Sequence, residues 1–395
     1  MNKKILFYKW GSLNLGIEKI FKRKNINYYM YERKINDPHA DAEFSLEFLQ
    51  ILHREKIEVV FSFDYIPLLS MLCELNKIPY VSWIFDCPQR MLLSKTLINN
   101  INYIFCFDRK YTDYLQQLGA RHCIHYPLAA DANRLEEIYQ NENLSIKKKY
   151  KCNVSYLGNL YNDKNNRITD ARFSDYVKGY INGIAEAQLR IYGYNFLTEI
   201  LPDDVIEEII KKCELQLSDL YYEDSKQWVS DTIGRDISAR ERVLVLETLG
   251  KIMDINLYSG SKLPKVLQGL RIKEKGFANY ETEMPYVFHN SKININITSK
   301  TIQSGIPLRV FDILSCGGFC ITNYQPEIAE YFIDGEELVM YTSMEDLIEK
   351  VEYYLNHEEE REQIAQNGYK KLKEKFDLSN AVEEMFSMID KYVHN

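Results

Sequence analysis

The sequence predicts an α/β protein built from two doubly wound units, each around a parallel sheet, with a helical insertion in the second. Short apolar or aromatic runs alternate with stretches of helical period, as expected for strands buried on both faces and joined by helical crossovers. The alternation occurs twice, on either side of a charged stretch, and 395 residues exceed what one hydrophobic core usually supports.

In the first unit, expected over 1–145, the runs Ile5 to Tyr8, Tyr28 to Tyr31, Val59 to Phe63, Val81 to Phe85, Tyr103 to Phe107 and Cys123 to Tyr126 read as strands. Between them Phe44, Phe48, Leu49, Ile51 and Leu52 form one helical stripe. From Ala132 to Lys151 the composition turns polar, ending in Lys147-Lys148-Lys149-Tyr150-Lys151, and a linker is expected there. Val154 to Leu157 opens the second unit, expected over 150–375. Residues from about 160 to 250 are charged and helical in pattern, which predicts the insertion. Strand runs resume at Ile255 to Tyr258, Leu270 to Ile272, Ile293 to Ile297, Phe319 to Thr322 and Leu338 to Tyr341. A C-terminal helix is expected over 376–395, with an apolar stripe at Val382, Met385, Met388, Ile389 and Val393. Two similar units facing a cleft is the expected architecture.

Bulk properties narrow the function. A net charge of −8 argues against a nucleic-acid partner, because such proteins cluster Lys and Arg to neutralise phosphates. No apolar run approaches the roughly 18 residues of a membrane span, and Met1 to Trp10 lacks the pattern of a secretory leader. The eight cysteines form no Cys-x-x-Cys pair and sit mostly in apolar runs, so they read as reduced core residues in a cytoplasmic setting. The histidines show no ligand spacing and there is no Asp-x-Asp element, so neither metal nor cofactor is expected.

The stretch from Ser304 to Asn323, SGIPLRVFDILSCGGFCITN, is the most informative. Ser304 and Gly305 make a loop, and Pro307 suits the first position of a helix running to Ser315. Free N–H groups at that start make an anion site, and Arg309 in the first turn adds a fork for phosphate oxygens. Asp312 lies five residues past Pro307, about 7 Å along the axis, roughly the span from a nucleotide's phosphate to its ribose. Equally, Arg309 and Asp312 are three apart and suited to pair with each other.

At these residues a resemblance becomes visible. Ser291 to Tyr341 resembles the donor-binding domain of GT-B glycosyltransferases, in the branch similar to the spore maturation protein CgeB. It continues through Tyr353-Tyr354-Leu355 and Glu360-Arg361 to Gly368-Tyr369. Upstream, Phe61 to Pro67, Ile78 to Pro88 and Pro127 to Ala130 look like the accompanying N-terminal domain, and Val154 to Tyr161 like the opening of the second. The resemblance implies sugar transfer from a nucleotide diphosphosugar, the donor held by the C-terminal unit and a protein or glycan acceptor, of flagellin or spore-coat type, facing the N-terminal one. Asp312 matches the carboxylate that binds the donor ribose in such enzymes. Many retaining members carry a glutamate eight residues before it, where this chain has Ser304, so the stereochemical course stays open. Two rival functions remain, a nucleotide-sugar epimerase of the same fold and a non-catalytic nucleotide-sugar-binding scaffold.

Further candidates follow from position. Gly158 and Asn159, after a strand, would let backbone amides approach the diphosphate. Lys300 would add a cation, with a solvated loop lysine as the alternative; the resemblance implies that Phe277 and Tyr280 lie where related folds receive the nucleotide base, with core packing as the alternative. Asp86 and Asp64 end predicted strands of the first unit and are the candidate catalytic carboxylates, with helix capping as the alternative. Trp10-Gly11-Ser12, after the first strand, would form an acceptor platform.

Overall fold

The computed structural model describes residues 3–10, 16–216, 218–222 and 224–393. The chain divides into two compact units. Unit one takes the residues up to Asp131, a short return at 218–222 and the C-terminal stretch from Phe376; unit two takes the rest.

Unit one holds a parallel six-stranded sheet in the order β2-β1-β3-β4-β5-β6. The strands are β1 (Ile5–Tyr8), β2 (Tyr28–Tyr31), β3 (Val59–Phe63), β4 (Tyr80–Ile84), β5 (Asn102–Cys106) and β6 (Cys123–His125). β1, β3, β4 and β5 are buried at every residue, which is why they read as continuous apolar runs. The Ala42–Arg54 helix starts where the Asp41 side chain accepts the Phe44 N–H, and it buries Phe44, Phe48, Ile51 and Leu52.

Two returns of the chain to unit one depart from expectation. The C-terminal helix Leu378–Val393 belongs here: the Leu378 N–H donates to Ala130 O at 3.0 Å, and the Phe386 ring lies 5.8 Å from that of Phe61. Residues 218–222, inside the stretch expected to be wholly insertion, also join unit one. Tyr221 bridges Ser94 antiparallel, the Tyr222 N–H donates to Leu93 O at 2.6 Å, and Tyr221 Oη lies 2.7 Å from His39 Nε2. No periodicity announces so short a return.

Unit two begins at Ala132, ahead of the expected boundary. The stretch read as a linker is helical, at Arg134–Asn141 and Leu144–Tyr150. Only Ile138 and Tyr150 of these helices are buried hydrophobics, too few to make an apolar stripe in the sequence. The unit's parallel sheet runs β12-β11-β10-β7-β8-β9, with β7 (Cys152–Leu157), β8 (Ile255–Tyr258), β9 (Ile272–Gly276), β10 (Ser291–Asn296), β11 (Cys320–Asn323) and β12 (Val339–Tyr341). β9 falls later than the run from Leu270 because it is a charged, largely exposed edge strand. Between β7 and β8 stand the helices of the insertion, including Asp175–Leu189, Asp203–Lys212 and Ser225–Ile252. They enclose their own apolar cluster around Val177, Ile181, Val205, Ile209 and Ile233.

Each sheet reverses its strand order at its first strand, between β1 and β3 in unit one and between β7 and β10 in unit two. Ligands of open α/β sheets bind outside the carboxyl ends of the strands at such a point. No helix among the described residues is long and apolar enough to cross a membrane.

Candidate functional site

In unit two, β7 runs out into Gly158 and Asn159. The Gly158 N–H donates to Tyr258 O at 3.0 Å. Asn159 is exposed, and its Oδ1 accepts the Tyr161 N–H at 2.5 Å and the Ser261 hydroxyl at 3.1 Å, closing a tight turn of the kind asparagine favours. The loop after β10 carries Lys300, which is buried rather than solvated. Its Nζ lies 3.1 Å from Glu241 Oε1, an ion pair without hydrogen-bond geometry, and 4.1 Å over the Tyr192 ring.

The helix after the Ser304-Gly305 loop is Leu308–Ser315, with Pro307 as its extended N-cap. Asp312 is only 1 % exposed. Its Oδ1 accepts Arg134 Nη1 at 2.8 Å and Tyr280 Oη at 2.7 Å, and its Oδ2 accepts Arg309 Nη1 at 3.2 Å. The three-apart pairing of Arg309 and Asp312 is therefore present. Arg134 also donates to Tyr280 Oη at 2.7 Å with its guanidinium 4.8 Å over that ring. Burial works against the Arg134 charge, but Tyr280 and Asp312 outweigh it and raise its pKa; burial also raises the Tyr280 phenol. Arg134 escaped the sequence reading because it sits 178 residues from Asp312, in what looked like a linker.

Ser304, where the resemblance leaves no acid, nonetheless has one beside it. Its buried hydroxyl donates to Glu327 Oε1 at 2.7 Å, and the Glu327 N–H returns to Ser304 O at 3.2 Å. Glu327 is itself buried, on the helix Pro326–Tyr331; the sequence reading passed over it because a glutamate at a helix start reads as solvated. Gly305 is buried in the same loop. Phe277 is 74 % exposed beyond the edge strand β9, apart from the Asp312 cluster that takes in Tyr280 and Arg309.

In unit one, Asp64 follows β3 in the left-handed backbone region at φ 57°, which aspartate tolerates better than most residues. Its Oδ1 accepts the N–H groups of Phe85 at 2.9 Å and Asp86 at 3.0 Å, tying the end of β3 to the end of β4. Burial raises the Asp64 pKa, the Asp86 carboxylate adds to the rise, and the two N–H donors oppose it. Asp86 is exposed. Neither residue occupies the N-cap position of the element that follows it, which is Ile66 for the Pro67–Asn76 helix and Gln89 for the Arg90–Leu93 turn. Trp10 packs half-buried against the core of unit one, while Gly11 and Ser12 lie outside the described residues.

A groove of about 950 Å³ lies elsewhere in unit two, between the Asp175–Leu189 and Ser225–Ile252 helices. Phe173, Ile181, Val243 and Arg240 are among its walls, and none of the residues singled out by the sequence lines it. We place the candidate site at the strand ends because strand topology, rather than cavity size, marks where such sheets receive ligands. Among the described residues no three His, Cys, Asp or Glu side chains converge closely enough to hold a metal ion.

Comparison with known proteins bears on the fold and on one segment of the chain. Residues 240–387 match the profile of a family described as glycosyl transferase-like. The sequence matches no curated protein. Among solved structures, a glycosyltransferase from Rickettsia africae aligns over 100 % of this chain and 99 % of its own, with TM-score 0.58 and 9 % identity. HepE of Anabaena in complex with UDP-glucose aligns over 98 % and 100 %, with TM-score 0.56 and 10 % identity. Sucrose-phosphate synthase from Thermosynechococcus elongatus aligns over 99 % of both, with TM-score 0.55 and 9 % identity. Two parallel six-stranded α/β units, matched along the chain by these structures, make this a GT-B fold, and its residues 240–387 match a glycosyl transferase-like family.

Proposed function

We propose that the chain is a cytoplasmic glycosyltransferase of the CgeB-like branch, moving a sugar from a nucleotide diphosphosugar to a hydroxyl on a protein or glycan without a metal ion. One observation carries this reading: the glycosyl transferase-like match contains β10, at the switch point of unit two, and Asp312 with its partners Tyr280 and Arg309. The UDP and UDP-glucose complexes of HepE support the donor class.

In this reading unit two binds the donor through Gly158, Asn159, Phe277, Tyr280, Lys300, Ser304, Gly305, Arg309 and Asp312. Asp312 Oδ1 stays with Arg134 and Tyr280. Oδ2, which among the described residues accepts from Arg309 at 3.2 Å, has acceptor capacity left for a ribose hydroxyl. Arg309, at 27 % side-chain exposure, can leave for the diphosphate while Arg134 keeps the carboxylate compensated. The start of the Leu308–Ser315 helix then assists in stabilising the leaving group. Unit one supplies the base, Asp86 with Asp64 as substitute, and an acceptor platform at Trp10, Gly11 and Ser12. The acceptor oxygen bonds to the anomeric carbon, the bond from that carbon to the diphosphate oxygen breaks, the hydroxyl proton passes to the carboxylate and the nucleoside diphosphate leaves.

The test is a thermal-shift panel of UDP-glucose, GDP-mannose and dTDP-glucose, followed by donor hydrolysis without acceptor, because a ligand of the native state raises its apparent stability. A stabilising nucleotide sugar that is slowly hydrolysed is the expected result. Binding without turnover would favour the scaffold, a free sugar epimer the epimerase, and no binding at all would sink the proposal. Activity lost to EDTA and restored by magnesium or manganese would remove the metal-free part.

A further inference from the structure

We propose that Arg242, together with Arg235, is a positioning residue that clamps loop 158–166 at the switch point of unit two so that the loop can receive the donor diphosphate; this rests on the glycosyltransferase reading. Arg235 and Arg242 lie seven residues apart on the Ser225–Ile252 helix, two turns along one face. Both guanidinium groups lie over the Tyr161 ring, 4.5 Å from its centroid for Arg235 and 3.8 Å for Arg242. Tyr161 has φ 55°, a left-handed conformation that costs a bulky residue energy unless its surroundings enforce it.

The same guanidinium fork joins the two strands that flank the switch point. Arg242 Nη1 donates to Asn159 O, just past β7, at 2.6 Å, and Nη2 donates to Ile297 O, just past β10, at 3.2 Å. A planar fork reaches two carbonyls in a fixed geometry, whereas a lysine ammonium is a point charge on a flexible stem. Beside it, Arg235 Nη2 lies 3.4 Å from Asp163 Oδ1, and Asp236 Oδ1 accepts Asn166 Nδ2 at 3.2 Å. The helix therefore holds the loop at Asn159, Tyr161, Asp163 and Asn166. Arg242 is only 7 % exposed, so its own charge is mostly spent inward. Its effect on the donor passes through the loop that it holds, which makes it a positioning residue.

The experiment compares wild type with Arg242→Lys, Tyr161→Ala and Tyr161→Phe, measuring calorimetric affinity for UDP-glucose, GDP-mannose and dTDP-glucose, amide hydrogen exchange and melting midpoint. Arg242→Lys and Tyr161→Ala are expected to weaken the bound nucleotide sugar about tenfold and to raise exchange in 158–166 by a similar factor. Tyr161→Phe keeps the ring and should stay within about twofold of wild type. Unchanged affinity in both Arg242→Lys and Tyr161→Ala, with wild type binding, overturns the clamp. If Arg242→Lys does not fold, the Tyr161 pair decides. If wild type binds none of the three, the glycosyltransferase reading fails instead, and loop exchange unchanged in Tyr161→Ala would then overturn the clamp on its own terms.

Discussion

The two sheets reverse order in the same way, yet the polar groups singled out in the two units are opposite in character. Unit one places two carboxylates together, Asp64 buried and Asp86 exposed, and steadies the buried one with backbone N–H groups. Unit two pairs its cations: Arg242 with two carbonyls just past strands β7 and β10, Lys300 with Glu241, and Arg134 and Arg309 with Asp312. Burial, with a like charge beside it, raises a carboxyl's affinity for a proton, which suits proton transfer. Paired cations suit an anionic ligand that displaces one partner. One α/β plan can thus carry acid–base chemistry in one unit and anion binding in the other.

The sharpest way to break this contrast is to neutralise the carboxylates. Asp86→Asn should lower turnover at saturating donor and acceptor by about 10²–10⁴-fold, the usual range for a general base, while donor affinity holds. Near-normal turnover in Asp86→Asn with a dead Asp64→Asn would pass the role to Asp64. Wild-type rates in both would favour a retaining course.

Next comes the permanent partner of Asp312. Arg134→Met leaves a carboxylate at 1 % exposure without its strongest cation, which typically costs about 3–5 kcal/mol. A denaturant midpoint for unit two that barely moves would show that Tyr280 and Arg309 hold Asp312 alone.

The buried carboxyl of unit one should also write itself into the pH dependence of stability. Its folded pKa is raised above the unfolded value, so the folded state holds the proton more tightly. The stability it contributes is intact at the acid end and is lost as pH climbs from about 4 toward the raised value near 7. Asp64→Asn keeps an acceptor oxygen for the Phe85 and Asp86 N–H groups and should flatten that slope. Urea midpoints at the two ends that differ equally in wild type and variant would assign the slope to other groups.

The smallest expected effect sharpens the contrast within unit two. Arg309 is partly exposed, and Arg309→Lys should change stability by no more than about 1 kcal/mol while slowing turnover at saturating donor. A stability loss matching that of Arg134→Met would mean that both arginines are structural.

Much of this molecule is local in origin. Ile5–Tyr8, Tyr28–Tyr31, Val59–Phe63 and Ile255–Tyr258 are strands at the residues where the apolar runs lie, and the helix ending at Arg54 starts beside Asp41 because one side chain can cap it. Burial on both faces of a parallel strand leaves a continuous signature in neighbouring residues, so sequence alone suffices for it. The charged edge strand β9, the polar helices from Arg134 to Tyr150 and the return at 218–222 carry no such signature. The same limit governs the site. Sequence placed Asp312, Arg309 and Tyr280 among the candidates, but the partners that define their chemistry come from afar: Arg134 for Asp312, Glu327 for Ser304, Glu241 for Lys300 and the Phe85 and Asp86 N–H groups for Asp64. A buried polar group must find its complement wherever the packed chain brings one, and that choice is made in three dimensions, after the strands and helices have taken their places.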